Sequence, residues 1–146
     1  MITKKVVLPS IAATSLMTLC SYVIAEQEKK NFSEPKLLAK IERRQLDVPK
    51  QMQLPAGWAT HYGVGIIIAT LFELYKNYFG AKPAFRHSII FGISAGLLSI
   101  AAWQQLLKML PQKQRSFYRK FYTQLFFAHL IFAGALTSTQ KVMKRY

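Results

Sequence analysis

The residues able to move a proton or hold an ion are few, and they stand out against apolar surroundings. His61 and Glu73 interrupt the stretch "GWATHYGVGIIIATLFELYKNYFG", Gly57 to Gly80, and His129 interrupts a second apolar stretch, 121–139. Histidine titrates near neutrality, so His61 and His129 suit a proton relay or a pH sensor. An ionisable group inside a membrane span is a functional candidate by default. The competing reading is structural. In it Glu73 pairs with Lys76, three residues on, and the histidines hydrogen-bond across helices. The residues alone leave both readings open.

Helix geometry limits what these groups can do together. His61, Gly65, Ala69 and Glu73 follow one another at i, i+4 spacing. Each step of four advances ~40°, so His61 and Glu73 point ~120° apart and stand ~18 Å apart along the axis. They cannot touch. His129 enters its stretch from the same side as His61, at a depth differing by only ~6 Å. A His61–His129 contact follows if their helices are neighbours. Glu73 belongs with Lys76, Arg86 and His87 at the other end. At most two histidines can share a site, so no metal centre and no cofactor are expected.

Catalysis finds no motif. The chain has no HExxH, no GxSxG, no paired carboxylates and no nucleophile beside a base, so no catalytic residue is assigned. The single cysteine, Cys20, excludes an internal disulfide. It reads as a small buried apolar side chain. Asn31-Phe32-Ser33 matches a glycosylation acceptor, which matters only in a eukaryotic lumen.

The elements that carry these residues are membrane spans. Four stretches have almost no charge: 6–25, 58–79, 88–107 and 121–139. Each reaches the ~20 residues that a helix needs to cross the hydrocarbon core. The first resembles a cleaved signal in its basic start and in Ala25 before Glu26. Its length and its hydroxyl row, Ser10, Thr14, Thr18 and Tyr22, favour an uncleaved helix. Small or polar rows recur in the other stretches: Gly65 and Ala69; Ser88, Gly92 and Gly96; His129, Ala133 and Thr137. Such rows let helices approach closely in lipid. The expected fold is all-α: a single membrane domain, 1–146, forming a four-helix bundle. The connection 80–85 is short, which makes the second and third spans antiparallel neighbours.

Between the first two spans, "NFSEPKLLAKIERRQL" predicts a helix at about 34–46. Ser33 is its N-cap, with Glu34 and Pro35 in the first turn. Phe32 can staple onto Leu37. Leu37, Leu38 and Ile41 form an apolar strip, flanked by Lys36, Lys40, Arg43 and Arg44. A basic amphipathic helix beside a span lies on the membrane surface, with its cations at anionic lipid headgroups. An extended linker, 49–55, then leads into the second span.

The net charge is +14, yet the basic residues gather at span ends. That placement indicates lipid headgroups and argues against nucleic acid. Trp58, Tyr62, Tyr75, Tyr78, Trp103, Tyr118 and Tyr122 fall near span ends, as an aromatic belt would. With four spans, eight basic residues share the side of the termini and twelve the other side. The positive-inside rule then turns both termini outward, although Lys4 and Lys5 favour the opposite.

"TSLMTLCSY", "NFSEPKLL" and "HYGVGIIIATLFELY" resemble segments of small four-span bacterial inner-membrane proteins of uncharacterised function, Bacteroidetes-type members in particular. The likeness covers roughly the first half of the chain and extends loosely through "FGISAG". It implies a four-helix inner-membrane protein with an uncleaved first helix, and no activity. The leading expectation is a non-enzymatic accessory or structural component, with a membrane protein or a second copy as possible partner. A small transporter or proton-coupled element using His61, Glu73 and His129 is the alternative, and a membrane-embedded enzyme a third.

Overall fold

The computed structural model describes residues 2–29, 32–80, 85–111 and 113–143, with side chains from Val6 onward. Within these residues the chain is helical and has no strand. The helices are α1 (Ile2–Gln27), α2 (Glu34–Gln45), α3 (Gln53–Tyr78), α4 (Phe85–Leu106) and α5 (Arg115–Met143), with a 3₁₀ turn at Leu107–Met109. Lys30, Lys82, Lys144 and Arg145 of the orientation count, and Asn31, lie outside the described residues. So do the side chains of Lys4 and Lys5.

Three helical segments are long and apolar enough to cross a membrane: Val6–Gln27, Phe85–Met109 and Arg115–Met143. That supports a membrane protein. Four such helices were expected, and α3 is the one that falls short. His61, Glu73 and Lys76 offset its isoleucines.

Several boundaries differ from expectation. Helix α3 begins at Gln53, and the segment expected as an extended linker at 49–55 is a turn at 50–52 followed directly by the helix. Proline is tolerated in a first turn, where its missing N–H has no intrahelical partner. Helix α5 begins at Arg115 and runs for 29 residues. Arg115, Ser116, Arg119 and Lys120 interrupt its apolar pattern there. Helix α2 starts after Ser33 as expected, but the Ser33 side chain makes no capping hydrogen bond. Asp47, at φ 50°, takes the left-handed conformation just beyond its end, one that Asp tolerates better than most residues.

The apolar strip of α2 does not face lipid. Phe32, Leu37 and Ile41 form one cluster with Trp103, Leu107, Phe117, Phe121 and Leu125. The Phe32 ring lies 5.5 Å from Phe117 and 6.3 Å from Phe121. Trp103 is buried there and does not join an aromatic belt. A second cluster fills the opposite half: Val6, Ala13, Met17, Ala69, Phe72, Ala128, Phe132 and Leu136.

Helix α5 is central and packs on both α1 and α4, while α3 packs on α1 and α2 lies against α3. Small residues set the close approaches. A Cβ at Gly65 would collide with Thr14 Oγ1, and one at Gly57 would reach Ala39 N at 2.8 Å. At Gly92 the neighbours are Leu130 and Ala133, each 3.1 Å away, and at Gly96 the neighbour is Phe126 at 3.0 Å. Helices α3 and α4 are poor neighbours despite their short connection. They meet through rings: Phe72–Phe91 at 4.8 Å and Tyr75–Phe91 at 6.0 Å. Bulky aromatics hold them apart, and the glycines of α4 turn toward α5.

Beside these apolar clusters, many polar side chains are buried and many large apolar ones face outward, unlike a water-soluble bundle. Buried positions include Ser10, Thr14, Thr18, Ser21, His61, Lys76, Ser88, Gln124, His129, Thr137 and Gln140. Exposed positions include Leu8, Leu16 and Leu19 of α1, Ile67, Leu71 and Leu74 of α3, and Ile93, Leu97 and Leu98 of α4.

Candidate functional site

Polar side chains collect in two separate clusters, one at each end of the bundle. The first lies at the α2 end. Leu37 and Ile41 seat α2 on the aromatic cluster, and Gly57 lets α2 press against α3. This brings Glu34, in the first turn of α2, over the start of α3. Glu34 Oε2 stands 3.7 Å from His61 Nδ1, with both side chains under a tenth exposed. That is too long for a hydrogen bond. Burial therefore dominates and pushes the Glu34 carboxyl up to about 7. The partial positive charge at the α2 N-terminus favours the carboxylate by only about 0.3–1 kcal/mol.

The other ring nitrogen, His61 Nε2, is 2.8 Å from Thr18 Oγ1. Thr18 in turn donates to the Thr14 carbonyl at 2.7 Å. Across the interior, His129 Nδ1 donates to the Leu125 carbonyl at 2.9 Å. Its Nε2 lies 2.7 Å from Ser99 Oγ. His129 is thus fully partnered as a neutral ring, with Ser99 the donor. His61 and His129 do not bond to each other, as sequence had allowed. They line one cavity of about 50 Å³ together with Glu34, Gly65, Ser99 and Trp103. That volume suits roughly one or two waters.

The second cluster closes the far end. Lys76 Nζ lies 2.6 Å from Glu73 Oε2 and donates to Gln140 Oε1, also at 2.6 Å. Gln140 Nε2 donates back to Glu73 at 3.2 Å. The Lys76 ammonium also sits 5.2 Å from the Phe72 ring centre, a favourable cation–π position. His87 Nδ1 bonds the Tyr75 hydroxyl at 3.2 Å. Next to it Ser88 and Thr137 share a hydrogen bond.

The three ionisable candidates are therefore not joined. Ala69, Phe72, Phe132 and Leu136, all at most 2 % exposed, stand between His61/His129 and Glu73. Glu34, Gln124 and Gln140 were missed as interior groups. Gln124 donates to Ser21. The two glutamines continue the inward row of α5 that holds Phe117, Phe121, Ala128, Phe132 and Leu136, so spacing of four from Ala128 and Leu136 could have found them. Glu34 reads as an ordinary first-turn acid, and only its tertiary placement buries it.

The packing residues assigned from sequence lie at helix contacts. Ser10 and Thr14 are fully buried on α1, Thr18 bonds His61, and Ala69 and Ala133 are at most 1 % exposed. Lys36, Lys40, Arg43 and Arg44 are solvent-facing. Lys36 sits 5.6 Å over the Tyr22 ring, and Arg44 donates to the Met109 carbonyl at 3.1 Å. Lys40, Arg43, Arg44 and Lys113 surround a groove of about 440 Å³ with Leu37, Leu110 and Pro111. Among the described residues, no group of three or more His, Cys, Asp or Glu side chains gathers as a metal-binding set. No protein-family model, curated protein or solved structure matches the chain.

Proposed function

We propose a non-enzymatic, multi-pass membrane protein in which α1, α3, α4 and α5 all cross the bilayer. The observation that carries this reading is the apolar outer surface. Water-soluble monomers rarely present large contiguous apolar faces. Here α1, α3 and α4 each turn leucines and isoleucines outward and hydroxyls, imidazole or ammonium inward. The argument extends to α3, whose average composition falls short. Lipid meets only its outer face, and that face carries Val64, Ile67, Leu71 and Leu74. His61 and Lys76 spend their polarity inside. Ser10, Thr14 and Thr18 are buried against the rest of the bundle, which favours retaining the first helix over cleaving it.

The α2 end is basic, and its groove combines four cations with an apolar floor. An anionic phospholipid offers both matching parts, with about 1 kcal/mol per cation near the surface. The bacterial inner membrane is the setting that the sequence resemblance implies. An accessory or structural role there, beside a membrane partner or a second copy, follows from the rigid internal pairing. A transmembrane proton path has less support, because the apolar layer of Phe72, Phe132 and Leu136 interrupts it. Native mass spectrometry of the protein in mixed-lipid nanodiscs tests the lipid arm. Phosphatidylglycerol should be retained over phosphatidylcholine. Exchanging Lys40, Arg43 and Arg44 together for glutamine should erase that preference, and equal retention by the wild type would refute it.

A further inference from the structure

Glu34 is a buried carboxyl with no lysine or arginine paired to it among the described residues. Hydrogen-bond directions decide what it faces. Thr18 has one hydroxyl proton, and the Thr14 carbonyl takes it. Thr18 Oγ1 is therefore the acceptor for His61 Nε2–H. A neutral ring protonated on Nε2 keeps a lone pair on Nδ1. That lone pair faces Glu34 Oε2 at 3.7 Å. An ionised Glu34 would set a negative oxygen against it.

We propose that Glu34 and His61 form a proton-binding site, in which the Glu34 carboxyl carries one proton and faces the His61 Nδ1 lone pair. The proton leaves when the carboxyl O–H bond breaks and water accepts the proton; it returns by the reverse step. The adjoining cavity, lined by both residues, has room for that water. The groups facing the pair are few. Helix α1 contributes Thr14 and Thr18, α3 contributes Gly65 and the rings of Trp58 and Tyr62, 6.2 and 6.1 Å from that of His61, α4 contributes Ser99 and Trp103, and α5 contributes His129. His129 is committed to Leu125 and Ser99. No second charged side chain lines the cavity among the described residues. Loss of the proton leaves a carboxylate opposite a lone pair, so proton occupancy governs how firmly α2 seats on α3. The site depends on α1, α2 and α3 packing together, and not on how many helices cross the bilayer.

Infrared pH-difference spectroscopy on the full-length protein in detergent tests this site. A protonated-carboxyl band should titrate near neutrality and vanish in Glu34→Gln. Thr18→Val removes the acceptor that fixes the ring tautomer. His61 can then donate from Nδ1 to the carboxylate, and the midpoint should move toward acid, roughly tenfold in proton concentration per pH unit. A structural role for Thr18 alone would not move it. If Glu34→Gln misfolds, Glu34→Asp keeps a carboxyl and should displace the band. The proposal is overturned by a wild type without such a band, by a band that persists in Glu34→Gln or stays undisplaced in Glu34→Asp, or by an unmoved midpoint in Thr18→Val.

Discussion

The two ends of the bundle bury similar groups and treat them differently. At the far end Glu73, Lys76 and Gln140 satisfy one another in a closed triangle. At the α2 end Glu34 faces His61 across 3.7 Å beside a small cavity. One end contains its counter-charge, and the other lacks it. A buried pair of opposite charges resists change, because removing either partner strands the other. A buried acid without a cation responds instead to the proton concentration around it. Rigidity and responsiveness thus sit at opposite ends of the same helices, separated by Ala69, Phe72, Phe132 and Leu136.

The largest effect should come from breaking the closed end. Lys76→Met takes the counter-charge from Glu73, leaving it only Gln140 Nε2, and removes the donor to Gln140 Oε1. The expected loss is about 3 kcal/mol, the low end for a buried pair because Glu73 is 30 % exposed. Thermal unfolding in detergent reads it, and the double variant with Glu73→Gln should recover much of the loss. No loss in the single variant would remove the distinction between the ends.

The α2 end should instead respond to pH. A free glutamate ionises near 4.5, whereas Glu34 holds its proton to about 7. Between those values the folded form binds more protons than the unfolded one. Stability is therefore highest below pH 4.5 and declines as pH rises to about 7, by up to about 3 kcal/mol. Glu34→Gln should flatten that part of the profile. A profile unchanged by the substitution would place the titration elsewhere.

Smaller effects separate the cavity wall from the helix contacts. His129→Leu takes the imidazole partner from the Ser99 hydroxyl and a second donor from the Leu125 carbonyl, which keeps its helical hydrogen bond, costing about 1 kcal/mol. The loss should not track the decline tied to Glu34, which falls between pH 4.5 and about 7. Gly92→Ala brings a Cβ to 3.1 Å from Leu130 and Ala133. Leu130 Cδ2 can yield, but Ala133 Cβ and Leu130 Cα are fixed to their backbone, so the expected loss is about 1 kcal/mol. Gly65→Ala, pressed onto Thr14, should cost more in the same assay.

Much of the scaffold was legible in the sequence. Long uncharged runs located the helices, and the spacing of Gly65, Ala69, Gly92, Gly96 and Ala133 marked faces that now lie at contacts. The ion pair of Glu73 with Lys76 followed from three-residue spacing. What the sequence hid is tertiary. Nothing local in "FSEPKLL" says that Glu34 is buried, because its burial depends on Gly57 admitting α2 to α3. The poor packing of α3 on α4 was hidden for a similar reason. A short connection constrains chain ends, while Tyr75, Phe72 and Phe91 decide the gap. The helix start at Gln53 was hidden because Pro55 reads as part of a linker, and that at Arg115 because Arg115, Ser116, Arg119 and Lys120 interrupt the apolar pattern.

The central claim is that all four long helices cross the membrane, α3 included, with polar groups inward. Its most direct test is side-specific labelling of single cysteines in a Cys20→Ser background. The positions are Gln51→Cys before α3, Phe79→Cys after it, and Lys113→Cys between α4 and α5. In sealed vesicles of one orientation, positions 51 and 113 should react from one side and position 79 only from the other. Labelling of 51 and 79 from the same side would contradict the account, because α3 would then not cross.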